Sequence, residues 1–419
     1  MEYSRRNFLK IGGLSITTAG IVSSFFACSE RTAQSELENM VTGVEPLTPE
    51  DYEARIEKVR RLMAEHRIDG LFLSGSTNLL YFTNVNWGRS ERTFGAVLNV
   101  KGDPVWICPA FEHERAQERI PEGQEIRIWD EHESPFALIA GILRDLGASG
   151  NRLALGPTVR SFVAHGLRRD APRLELVDGA VVTEGCRGIK TAKEIAYMDL
   201  ANRITKLAYR EGFRQLREGM STGDVRAAIS EAHRQMGVSG SGGPQFGPNS
   251  AFPHGSSVVR DLHDGDIVLV DGGCSVEGFR SDVTRTVVFG TPSDKQRKVW
   301  DIVKKAQAEA FNVIRPGVPC EQVDAAARKV VEDSGYGPGY TYFGHRLGHG
   351  IGMEGHEYPY LVRGNKLLLQ PGMTFSNEPG IYIYDEFGVR IEDCFAVTDD
   401  GVKNLGGMAS TAIDMPFGE

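Results

Sequence analysis

From residue 50 onward the apolar positions keep two alternating rhythms. In EDYEARIEKVRRLMAEHRI they recur at helical spacing, and the run DGLFLSG after it reads as a short buried strand. The alternation continues through strand-like GAVLNV and PVWICPA, helical FEHERAQERI, strand EIRIWD, helical PFALIAGILRDLG, strand RLALG, helical SFVAHGLRRD and strand LELVDGA. Strands interleaved with helices in this way predict an α/β domain over residues 50–183. A second, α+β domain over 187–410 opens on KTAKEIAYMDLANRITKLAYREGFRQL, where Thr191 and Glu194 have capping-box spacing at the start of a long amphipathic helix. After it come the helix TGDVRAAISEAHRQM, a glycine-rich loop SGSGGPQFGPNS, and the strand runs DIVLVDGGC and FRSDVTRTVVFG. Helices over 293–314 and 320–334 and a last strand pair, MTFSNEPGIYI and VRIEDCFAVT, complete the pattern.

The two strand pairs match each other. GDIVLVDGG (265–273) and GMTFSNEPG (372–380) share a leading glycine, an extended run, an acid at the seventh position and a glycine at the ninth; the acids are Asp271 and Glu378. Each is followed by a strand in which an arginine stands two residues before an acid, RSD ending in Asp282 and RIE ending in Glu392. Facing positions on paired antiparallel strands lie about 4.5–5.5 Å apart, which predicts Asp271 beside Asp282 and Glu378 beside Glu392. A pseudo-twofold relating the ribbons brings all four acids to one place. Taken singly, each acid is most often a solvent-facing residue; matched positions beside glycines on apolar strands argue otherwise for the set. Four buried carboxylates cannot all ionise without a cation, so the pattern asks for metal. An oxygen-rich set favours a hard ion such as Mn²⁺, and one added imidazole admits Zn²⁺, Co²⁺ or Fe²⁺.

HRLGHGIGMEGHE (345–357) offers that imidazole, with three of the chain's ten histidines. Its glycines do not form a phosphate loop, because no lysine follows in register. His113, His132 and His165 have no acids at metal spacing and read as structural. With Asp271, Asp282, His349, Glu378 and Glu392 in this order, the chain resembles the M24 metallopeptidases, the pita-bread group that includes Xaa-Pro aminopeptidase, prolidase, methionine aminopeptidase and creatinase. The resemblance implies two divalent metal ions, Mn²⁺ first among them. Asp271 would hold one ion, His349 and Glu378 the other, and Asp282 and Glu392 would bridge. It also implies a bridging hydroxide that attacks the peptide bond before proline, with Glu378 as proton shuttle. By the same resemblance His254 and His356 are catalytic and contact substrate, and His345 flanks substrate. Arg390 either braces the carboxylates or grips a substrate carboxylate. Gly355 departs from the pattern, since a branched aliphatic residue is usual there.

The first domain resembles the creatinase-type domain that simple methionine aminopeptidases lack, and the complete ligand set disfavours creatinase, which works without metal. The expected function is therefore that of an Xaa-Pro aminopeptidase or Xaa-Pro dipeptidase, working as a homodimer on proline-containing peptides. A non-peptidase hydrolase or lyase of the same group acting on a small molecule is the alternative, followed by a binding module with a vestigial site.

Residues 1–28 change the picture of where this happens. SRRNFLK followed by IGGLSITTAGIVSSFFA resembles a twin-arginine export signal, and FFAC resembles a lipobox at which Cys28 would be acylated. A polar linker is expected over 29–49. Export by the twin-arginine machinery would place the protein in the periplasm or on a membrane as a lipoprotein. The net charge of -9 argues against a nucleic-acid partner. Cys108, Cys186, Cys274, Cys320 and Cys394 are widely spaced, form no C-x-x-C pair and read as buried thiols.

Overall fold

A six-stranded mixed sheet organises the first domain in the computed structural model, which describes residues 37–147 and 151–418. Its strands are β1 (Gly70–Ser74), β2 (Gly95–Asn99), β3 (Val105–Pro109), β4 (Ile126–Trp129), β5 (Arg152–Leu155) and β6 (Glu175–Asp178), in the order β4-β3-β2-β1-β5-β6. The helices are α1 (Pro49–Glu65), α2 (Thr77–Thr83), α3 (His113–Gln117), α4 (Pro135–Asp145), α5 (Ser161–Asp170) and α6 (Ala180–Arg187). Successive strand residues point to opposite faces, and both faces are covered. Leu71, Leu73, Leu98 and Trp106 pack with Val59 and Met63 of α1 and Val182 of α6. Phe72, Val97 and Ile107 pack with Ile142 of α4 and Leu167 of α5. Helices α2 and α6 are too short to announce themselves by apolar period, and α6 runs across the expected end of the domain at 183.

From Glu38 on, the chain forms one compact unit. The expected signal and Cys28 lie outside the described residues. The later part of the expected linker is tied down: Met40 N donates to Met236 O, Tyr197 Oη to Glu45 O, and Lys193 Nζ to Pro46 O. A buried ion pair of 2.7 Å, Arg55 on α1 with Glu194, fastens the first domain to the second. No helix among the described residues is long and apolar enough to cross a membrane.

The second domain repeats one motif. Helices α7 (Ala192–Arg214) and α8 (Thr222–Gln235) precede strands β7 (Gly240–Phe246), β8 (Ile267–Val276), β9 (Phe279–Arg280) and β10 (Val283–Val288). Helices α9 (Asp294–Val313) and α10 (Cys320–Asp333) precede β11 (Gly348–Gly350), β12 (Glu357–Leu361), β13 (Thr374–Asn377), β14 (Gly380–Ile383), β15 (Phe387–Arg390), β16 (Asp393–Val397) and β17 (Val402–Asn404). Strands run β10-β8-β7 in the first half and β16-β13-β11 in the second, so the halves share a strand order. An antiparallel bridge, Thr284 with Glu392, joins the two sheets. The capping box of Thr191 and Glu194 starts α7 as the spacing predicts.

The glycine-rich stretch expected as a loop is instead strand β7, paired along its length with β8. Its glycines are there for close approach. A Cβ at Gly240 would lie 2.5 Å from His233 of α8, and one at Gly242 would lie 2.5 Å from Val270 of β8 and 3.1 Å from Tyr209 of α7.

Candidate dinuclear metal centre

The two ribbons carry their acids into the same cavity, of about 160 Å³, but not by the same register. On the second ribbon Asn377 pairs with Asp393, and the next step of that register sets Glu378 opposite Glu392, as expected. On the first, Asp271 pairs with Thr284 rather than with Asp282, which falls opposite Gly273. The expectation that Asp271 and Asp282 face each other is thus corrected: they sit on a diagonal, still within reach of one another. The insertion of the β14–β15 hairpin between β13 and β16 accounts for the longer spacing of the second pair.

Candidate ligand atoms of Asp271, Asp282 and Glu392 lie within 4.8 Å of one another, and so do those of His349, Glu378 and Glu392. Asp282, His349 and His356 form a third such group. His349 is nearly buried, with Nδ1 3.1 Å from Gly350 O, and its Nε2 lies 3.3 Å from Glu378 Oε1 and 3.8 Å from Asp282 Oδ2. With Nδ1 donating to Gly350 O, Nε2 faces the acids, where it holds a proton against Glu378 that a cation would displace. Burial, then the neighbouring carboxylates, push Asp282 and Glu392 well above the usual carboxylate range. Burial opposes ionisation of Glu378 too, but the hydrogen bond from His349 and the nearby histidines and arginine hold it at about 2.

A cation pair fits this donor set. Close acids that resist joint ionisation are what positive charge resolves. The Tyr209 hydroxyl adds an independent sign: it is fully buried among Asp271, Asp282 and Glu392, with no hydrogen-bond partner among the described residues. Such a group needs a partner, and a water or ion held between the acids would supply one.

Arg390 is committed to the protein. Its Nη2 donates to Asp271 Oδ2 (2.9 Å), Nη1 to Tyr382 Oη (2.8 Å) and Pro253 O (3.1 Å), and Nε to Thr284 Oγ1 (3.0 Å). One of these contacts, to Asp271, is the kind a brace on the carboxylates would make. His345 is also engaged on both nitrogens. Nε2 lies 2.8 Å from Tyr382 Oη and Nδ1 2.8 Å from Arg346 O. Burial lowers its pKa, consistent with a neutral ring that accepts from Tyr382 and donates to Arg346 O. The exposed histidines His254 and His356 line the cavity, and the His356 ring stacks on His349 at 3.8 Å. Burial and the adjacent His349 lower the pKa of His356, which favours its neutral form. A neighbouring crevice uses His356 as a shared wall and is lined on its other side by Thr158, Glu184 and Arg187 of the first domain.

Sequence reasoning missed four residues here: Tyr209, Thr284, Arg346 and Tyr382. Thr284 was within reach, because it stands two residues after Asp282 and so shares its face of the ribbon. Its hydroxyl donates to Glu392 Oε2 at 2.7 Å and lies 3.1 Å from Asp271 Oδ1. Arg346 and Tyr382 lie within the histidine and second-ribbon segments but match no ligand pattern, and Tyr209 comes from the distant α7. At Gly355 a Cβ would meet nothing within 4 Å, and the backbone is outside the left-handed region. The position lies two residues before β12.

A centre of acids on paired ribbons with one imidazole, behind an α/β domain, defines a metal-dependent hydrolase of the pita-bread type. The model of metallopeptidase family M24 matches residues 196–399, and that of the Creatinase/Prolidase N-terminal domain matches 55–189. An Xaa-Pro dipeptidase of Lactobacillus helveticus is 35% identical over 357 residues, covering 84% of this chain and 96% of that protein. Among solved structures, dipeptidase PepE from Mycobacterium ulcerans superposes with a TM-score of 0.79 at 32% identity, over 86% of this chain and 97% of that one. The X-Pro aminopeptidase from Thermotoga maritima does so at 0.72 and 26%, over 84% and 96%. The chain belongs to metallopeptidase family M24.

Proposed function

We propose that this protein is an Xaa-Pro peptidase that hydrolyses the bond preceding proline with two divalent metal ions, Mn²⁺ first among them. The observation that carries the reading is the convergence of Asp271, Asp282, His349, Glu378 and Glu392, with ligand atoms grouped within 4.8 Å. Asp271 would hold one ion, His349 and Glu378 the other, with Asp282 and Glu392 shared between them. When bound, such a pair acidifies a water molecule and polarises a carbonyl oxygen.

The chain's own residues supply the rest. Glu378 takes the proton of the attacking water and returns it to the proline nitrogen as the bond breaks. His356, neutral, and His254 stand at the cavity wall, where they donate hydrogen bonds to the oxygen on which charge develops. Arg390, paired with Asp271 at 2.9 Å, keeps that carboxylate oriented toward the cavity. Export through a twin-arginine signal, acylation at Cys28, a periplasmic or membrane-attached location and a homodimer belong to the same proposal. They rest on residues 4–28 and on the chain's likeness to its family.

Hydrolysis of Ala-Pro and Ala-Ala by the full chain loaded with Mn²⁺ tests the reading. Turnover of Ala-Pro and little of Ala-Ala is expected; a chain that holds metal and cleaves neither defeats it.

A further inference from the structure

His356 lines the metal cavity, but it belongs to neither helix nor strand: it is the last residue of the link between β11 and β12, and it is exposed. That link is held from two sides. From the second domain, Arg280 on β9 donates through its backbone N to Gly352 O (2.8 Å) and through Nε to Met353 O (3.1 Å). From the first domain, the hydrophobic core packs against the Met353 side chain, and an ion cluster reaches across to the residues on either side of His356.

Arg187, the last residue of α6, is the centre of that cluster. Its Nη2 donates to Glu357 Oε1 and to Glu354 Oε2 (3.2 Å), and its Nη1 donates to Asn78 Oδ1 (2.8 Å) on α2. Lys190 Nζ donates to the other oxygen of Glu357 at 3.4 Å. Glu357 Oε1 also accepts from Glu354 N (2.9 Å), which closes the link upon itself. The side chains of Arg187, Lys190 and Glu357 are 10%, 2% and 5% exposed. Burial opposes the charge on Glu357, and Lys190 and Arg187 overcome it.

A buried ion cluster adds little stability over apolar packing of the same volume, but its paired N–H groups fix angles as well as distances. Here the carboxylate so fixed is one residue from the imidazole at the cavity wall. Glu357 pairs with Gly350 across a bulge, next to His349, and the His356 ring lies on the His349 ring at 3.8 Å.

We propose that Arg187 is a positioning residue for His356: by gripping Glu354 and Glu357 from the first domain, it holds the His356 ring over His349 at the cavity wall. The proposal rests on the Xaa-Pro reading for its effect on the reaction, but not for its effect on the ring. It gives the first domain a part in the chemistry of a site whose candidate ligands all come from the second. Misplacing a reacting group by about 1 Å costs on the order of 10²-fold in rate, so loss of the grip should be read in turnover before it is read in binding.

A double-mutant cycle on the full chain loaded with Mn²⁺, with Ala-Pro as substrate, tests this. Arg187→Gln should lower kcat by about 10–100-fold with little change in KM and with the metal content of the wild type. In the His356→Ala background the same substitution should cost less than about twofold, because the group it positions is gone. Arg187→Lys keeps the charge without the fork and should fall between wild type and Arg187→Gln; it carries the cycle if Arg187→Gln does not fold. Equal losses in the two backgrounds mean a structural role alone and overturn the proposal. Crystal structures of the variants separate this failure from failure of the Xaa-Pro reading, since the His356 ring should leave its stack on His349 when Arg187 is replaced. If metal-loaded wild type does not cleave Ala-Pro and the ring moves in the variant, the Xaa-Pro reading falls and the positioning role stands. If the ring keeps its place in the variant, the positioning role falls whatever the substrate.

Discussion

On the β13–β16 ribbon the register sets Glu378 and Glu392 across from one another; on the β8–β10 ribbon Asp271 and Asp282 sit on a diagonal, with Thr284 in the facing place. The supports differ as well. Glu392 is followed by Asp393, which is wholly buried and pairs at 2.7 Å with both Arg285 and Lys206. Asp271 is held from the cavity side by Arg390 and remains 36% exposed. One ribbon is locked through the core and the other is braced at the site. A matching sequence pattern therefore delivered four acids to one cavity without delivering the same mechanics to each pair.

The sharpest way to break the comparison is at the acids themselves. Asp282→Asn should lower kcat by about 10³-fold or more if, as proposed, both ions share it; a loss under tenfold would show that the diagonal acid is not shared. Next, Asp393→Asn should destabilise the fold by about 3–5 kcal/mol in chemical denaturation, since it strands two buried cations. Arg390→Lys, which breaks the brace on the other ribbon, should cost about 10–100-fold in metal affinity while moving stability far less. If both variants lose stability equally, the distinction between core lock and site brace fails.

A pH series sharpens the same contrast. Burial alone would raise the Asp393 carboxyl, but Arg285 and Lys206 overcome it and hold the group at about 2 against 3.8 for a free side chain. Its folded value is depressed, so its stabilising contribution is complete above about pH 4 and is lost as pH falls toward 2. Denaturation of metal-free protein at pH 6 and pH 3 should show a steeper loss in wild type than in Asp393→Asn. The smallest effect is expected at Gly355→Val, which enters open space and should change stability by no more than about 0.5 kcal/mol.

The acids and His349 were legible in the chain because a repeat displays spacing, and spacing is what a sequence records directly. Strand β7 was not, because the glycines that let α7 and α8 press onto it are the residues that ordinarily argue against a strand. For Arg390 nothing in the sequence pointed to the partners, Asp271, Thr284 and Tyr382, that take up its donors, because they come from three separate strands. Tyr209 carried no sequence cue at all, because it reaches the acids from α7.

Metal stoichiometry tests the central claim most directly. After loading with Mn²⁺ and removal of free ion, elemental analysis of the full chain should give close to two ions in the wild type. His349→Ala should hold about one and Asp282→Asn fewer than one. Two ions retained in both variants would contradict the account.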